Sequence, residues 1–102
     1  MDRRPILIVD DSPSFLTLVR LALEREGYRV IEAGNGIEAL RHLDAAPLLC
    51  IISDINMPQM DGVALVEHVK AHQLQRLVPI LMFSTEANIA KMNRCREAGV
   101  RA

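Results

Sequence analysis

Asp10 and Asp11 stand together where one apolar run ends, and Asp54 stands where another ends. The first run is Ile6-Leu7-Ile8-Val9, and the other is Leu48-Leu49-Cys50-Ile51-Ile52-Ser53. Runs this short, rich in β-branched residues and bounded by turn chemistry, read as strands buried on both faces of a parallel sheet. If the two strands are neighbours, three carboxylates converge at one sheet edge. Ionised together they repel, so the arrangement is costly unless a cation neutralises it. Hard oxygen donors in a small crevice suit Mg²⁺. A carboxylate beside such an ion has two uses: it can ligate, or it can act as a nucleophile and become an aspartyl-phosphate. The ion would then offset charge developing on the phosphoryl oxygens. Any one aspartate in such a place is more simply a turn or cap residue, and Asp61, before Gly62, is read as the cap of a helix.

The elements that must position these groups alternate along the chain. After the first strand Ser12 can cap a helix, and Pro13 suits its first position, where no amide bond is lost. Phe15, Leu18, Val19 and Ala22 then follow the spacing of an amphipathic helix. Gly27 is placed to end it as a left-handed cap, and 28–33 are expected as the second strand. Gly34-Asn35-Gly36 is a turn before a short helix carrying Ile37, Leu40 and Leu43, closed by Pro47. A third strand ends at Asp54, a loop follows, and a helix is expected from Gly62 to about Gln73, with Val63, Val66 and Val69 on one face. Pro79 opens a fourth strand, 80–84, and a last helix is expected over about 87–98. Strands alternating with helices imply right-handed crossovers and a parallel sheet covered on both faces. The expected class is α/β, a doubly wound flavodoxin-like sheet of order 2-1-3-4-(5), with the fifth strand and helix missing or incomplete. In that order ligands bind where the strand order reverses, between strands one and three, and those strands carry the aspartates.

At 102 residues the chain has room for one domain, 1–102, and one core. A net charge of −1 gives no basic surface for nucleic acid, and no apolar run approaches the roughly 20 residues that span a bilayer. Met1 to Pro5 run straight into a strand rather than a signal peptide. Cys50 in a strand and Cys95 in a helix read as thiols of a reducing compartment, so a cytoplasmic location is expected. His68 and His72 have a spacing that could hold Zn²⁺, but no third ligand is nearby, and a solvated helix face is the simpler reading.

The segment Asp54-Ile55-Asn56-Met57-Pro58-Gln59-Met60-Asp61-Gly62 resembles the signature of response-regulator receiver domains of two-component signalling. The resemblance extends to Ile8-Val9-Asp10-Asp11-Ser12, to Val78-Pro79-Ile80-Leu81-Met82-Phe83-Ser84 and to Glu97-Ala98-Gly99, in register across essentially the whole chain. It implies that Asp11 is the main Mg²⁺ ligand, with Asp10 acting partly through water and the backbone carbonyl of Asn56 adding to the shell. It implies that Asp54 accepts phosphate from a histidine kinase or phosphotransfer protein. Ser84 matches the switch hydroxyl, with Thr85 the poorer candidate. Asn56 and Glu86 match positions that govern water access to the acyl phosphate. The chain is then a signalling phosphoacceptor rather than an enzyme, with at most self-catalysed phosphotransfer and dephosphorylation. An output domain or effector is its expected further partner.

The sequence departs from that pattern. A fifth strand with a Lys-Pro pair, its aromatic partner and a fifth helix do not appear. Lys70 and Lys91 lie in expected helices and cannot replace the lysine. Two expectations stand: a partial receiver of a longer regulator, or a short variant with altered chemistry. Either bares one side of the sheet and favours homodimers or strand exchange. A receiver-like interaction module without productive phosphorylation stays open as an alternative. A phosphatase or mutase is disfavoured, because Asp10-Asp11-Ser12 does not place a nucleophile and an acid/base carboxylate two residues apart.

Overall fold

The computed structural model describes residues 3–55, 60, 62–83, 93 and 97. Its elements run β1 (Ile6–Val9), α1 (Pro13–Arg25), β2 (Val30–Ala33), α2 (Gly36–His42), β3 (Cys50–Asp54), α3 (Gly62–Ala71) and β4 (Ile80–Phe83). The strands pair in the order β2-β1-β3-β4, and every pairing is parallel. This is the flavodoxin-like order expected from the alternation of elements.

Strand side chains alternate between the two faces, and that alternation divides the core in two. Leu7, Val9, Ile51, Ile55, Ile80 and Met82 pack with Ala39 of α2 and with Leu65, Val66 and Val69 of α3. Ile6 and Ile8 pack on the other face with Leu16 of α1, joined by the partly buried Val19, Leu23 and Ile52. Leu7, Ile51 and Leu65 are fully buried. Truncating such a residue to alanine costs about 2–5 kcal/mol, through lost transfer energy and the cavity left behind.

Helix α1 starts as the sequence indicates. The Ser12 hydroxyl accepts the Phe15 N–H at 3.3 Å, and Pro13 occupies the first turn. The stripe it buries is different from the one expected. Leu16, Val19 and Leu23 face the sheet, whereas Leu18 is 67% exposed and Ala22 is also exposed. The helix carries two apolar stripes, and contact with β1 selects one of them. On the same face Leu81 of β4 is 46% exposed, so part of that sheet side carries bare apolar surface.

Other boundaries move for identifiable reasons. Gly27 adopts φ 93°, and the amides of Gly27 and Tyr28 turn back to Glu24 O and Leu23 O. That closure of the helix end uses the Tyr28 N–H, so β2 begins at Val30 rather than at residue 28. Helix α3 ends at Ala71, because His72 leaves it to bond the Asp44 carboxylate at 2.7 Å. Buried Gln75 then ties the base of the sheet together. Its Oε1 accepts Leu48 N–H, and its Nε2 donates to the carbonyls of Leu43 and Ala46.

Candidate functional site

Sheet register brings the aspartates together. Val9 of β1 pairs with Ser53 of β3, and the next residues along are Asp10 and Asp54. Both continue rows that face α1: Ile6, Ile8, Asp10 on one strand and Cys50, Ile52, Asp54 on the other. The Asp10 amide still donates to Ala33 O, at 3.1 Å, so the ladder holds that carboxylate at the rim. Asp11 belongs to the turn that follows. Asp10, Asp11 and Asp54 each present an oxygen within 4.8 Å of the others, and Asp10 and Asp54 are buried while Asp11 is exposed.

The turn between β1 and α1 is built to hold this geometry. The Ser12 amide donates to Asp10 Oδ1 at 2.8 Å while its hydroxyl caps α1. A single residue therefore aims the carboxylate and starts the helix. The Asp10 carboxyl is raised above its ordinary range, chiefly because burial strips water from the charged form. The Ser12 amide opposes that shift, and the charges of Asp54 and Asp11 reinforce it. The cluster is thus primed for a cation in a way its separate members are not.

The donors are all hard carboxylate oxygens, two of them shielded from water, which fits Mg²⁺ and not a soft metal. Among the described residues no other trio of His, Cys, Asp or Glu converges in this way. His68 is exposed on α3, and His72 is engaged with Asp44. Asn56, Asp61, Ser84, Thr85, Glu86 and Cys95 lie outside the described residues. Cys50 is half-buried at the start of β3, and burial raises its thiol pKa, as suits an inert thiol.

An aromatic pair at the rim escaped the sequence reading. Phe83 is the register partner of Asp54 across β3 and β4. The Phe15 ring, from the first turn of α1, meets the Phe83 ring at 5.1 Å between centroids, with the planes tilted by 39°. It links the turn behind Asp10 to the end of β4. With two phenylalanines 68 residues apart in sequence, only the assembled sheet reveals the contact.

A parallel sheet of this order with an acid cluster at its switch point defines a CheY-like α/β domain. Residues 6–102 match the family model described as the response regulator receiver domain, and the chain belongs to that family. It is similar to the chemotaxis protein CheY1 of Helicobacter pylori, with 40% identity over 97 residues, 93% of this chain and 78% of that one. The fold superposes on chemotaxis protein CheY4 of Vibrio cholerae with a TM-score of 0.89 and 36% identity, covering 97% of this chain and 82% of that one. The receiver domain of a sensor histidine kinase from Pseudomonas aeruginosa superposes with a TM-score of 0.85 and 29% identity, covering 98% and 82%. That structure holds a magnesium ion coordinated in its active-site cleft.

Proposed function

We propose that this receiver domain takes a phosphoryl group from a histidine kinase or phosphotransfer protein onto Asp54 and relays it as a change of shape. Mg²⁺ would be held by Asp10, Asp11, Asp54 and the backbone carbonyl of Asn56. When bound, the ion supplies neutralising charge to the carboxylates and to the phosphoryl oxygens. The nucleophile is an Asp54 carboxylate oxygen. It forms a new O–P bond as the donor's N–P bond breaks, and the electron pair leaves on the donor imidazole nitrogen. Asp10 stays aimed by the Ser12 amide throughout. The Ser84 hydroxyl then donates to a phosphoryl oxygen and carries the change into the segment after β4.

The observation that carries this reading is the meeting of three carboxylates within 4.8 Å, two of them buried. Burying carboxylates that repel one another is costly, so packing alone does not account for the cluster. The magnesium-bound kinase receiver supports the same ion here. The domain acts as a signalling phosphoacceptor in the cytoplasm, working with an output domain or effector. Among the described residues no helix is long and apolar enough to cross a membrane.

Incubation with Mg²⁺ and a small acyl-phosphate donor tests the proposal by intact-protein mass spectrometry. The expected result is one labile phosphate, lost on adding a chelator beforehand and lost in Asp54→Asn. A folded wild-type protein that gains no phosphate would leave the interaction-module reading in its place.

A further inference from the structure

We propose that Met60 and Gly36 form a clamp on the loop leaving Asp54, and that the clamp sets how tightly the acid site holds a divalent cation. The inference rests on the metal reading of that site. After Asp54 the chain must leave the sheet rim and return to α3 at Gly62. Its near end is fixed by Ile55, fully buried, whose N–H donates to Phe83 O at 2.9 Å. Its far end is fixed by Met60, partly buried against the core on the α2 and α3 face.

Met60 lies hard against Gly36, the first residue of α2. A Cβ at Gly36 would stand 2.8 Å from Met60 Cβ, 2.9 Å from its Sδ and 3.0 Å from its Cγ. Rotating the methionine would move the sulfur but not its Cβ, so an alanine at 36 must push the loop backbone. The φ of Gly36 is not positive, so the close approach, and not backbone conformation, accounts for the glycine. The socket is also rigid. Asn35 Oδ1 accepts Glu38 N–H at 2.8 Å, and Glu38 Oε2 accepts Gly34 N–H at 3.0 Å. This turn leaves the sheet at Ala33, whose carbonyl holds the Asp10 amide. The clamp therefore ties Met60, on the chain between Asp54 and α3, to the turn beside Asp10. Both residues act as positioning residues, through the segments that carry the carboxylates.

The test is the Mg²⁺ dissociation constant, read from amide NMR shifts titrated with MgCl₂, alongside urea unfolding of each variant. Gly36→Ala and Met60→Ala should each weaken Mg²⁺ binding about tenfold, the scale seen when groups behind metal ligands are lost. The double variant should be no weaker than the weaker single, because both substitutions open one clamp. Met60→Leu should stay within about twofold of wild type, since it keeps the volume. Folded single variants with wild-type affinity, or losses that add in the double variant, would overturn the clamp. Wild-type protein that fails to bind Mg²⁺ would overturn the metal reading itself, which is a separate result.

Discussion

Replacing Asp10 by asparagine should make the metal-free protein more stable. The substitution keeps the shape and an Oδ1 acceptor for the Ser12 amide, found at 2.8 Å, and removes one charge from the cluster. Two unit charges 4.8 Å apart, the outer limit within this cluster, repel by about 0.9 kcal/mol in water and about 3.5 kcal/mol at an effective dielectric constant near 20. Asp10 faces two such neighbours, of which exposed Asp11 is the better screened. The weaker hydrogen bond from Ser12 to a neutral acceptor offsets part of the relief, leaving a gain of about 1–3 kcal/mol. For a domain of this size that raises Tm by about 5–15 °C. The sign follows from the raised Asp10 pKa. A carboxyl that binds its proton more tightly folded than unfolded adds stability fully present below its unfolded value, near 3.8, and lost as pH rises through the higher folded value. The advantage of Asp10→Asn should therefore vanish in acid and open as pH rises toward neutral. Urea or thermal unfolding with a chelator present, at low salt and several pH values, measures it. Added Mg²⁺ should stabilise wild type by about 2.7 kcal/mol at a hundred times its dissociation constant, and the variant by much less. A variant no more stable than wild type at pH 7 without metal would refute the reasoning.

Three further outcomes can be checked on the same protein. Gln75→Leu removes the amide that satisfies Leu48 N–H and the Leu43 carbonyl in the interior, and should cost about 2–3 kcal/mol in urea unfolding with Mg²⁺ affinity unmoved. Asn35→Ala removes the cap on α2 and should cost about 1 kcal/mol by the same measurement. Exposed Leu18, Leu21 and Leu81 should drive self-association, seen by light scattering as a mass that grows with concentration and falls toward monomer in Leu18→Glu. A concentration-independent monomer mass for wild type would count against that.

The strands were legible because β-branched runs of this length, preceded at β1, β3 and β4 by Pro5, Pro47 and Pro79, have few other uses. Their order followed from alternation with helices, and with it the meeting of Asp10, Asp11 and Asp54. What escaped depends on contacts between distant segments. Helix α1 has two apolar stripes, and periodicity cannot say which one β1 will cover, so the stripe through Leu18 and Ala22 reads as the buried one although both residues lie outward. Tyr28 looked like strand because its amide's role in closing α1 is invisible until the backbone is built. Gln75 gave no signal, since a buried glutamine is indistinguishable in sequence from an exposed one. Gly36 reads in the sequence as part of a turn, but it is the first residue of α2, and its fit against Met60 appears only in three dimensions. The expected roles of Asn56 and Ser84 rest on family resemblance, for both lie outside the described residues.

The most direct measurement of the central claim locates the phosphorylated atom. Wild-type protein treated with Mg²⁺ and an acyl-phosphate donor is reduced with borohydride, which converts an aspartyl-phosphate to homoserine, then digested and sequenced by mass spectrometry. The account predicts homoserine at position 54, and at neither 10 nor 11, with none formed when Mg²⁺ is chelated first. Homoserine at another carboxylate, or an unmodified Asp54 in protein that binds Mg²⁺, would contradict it.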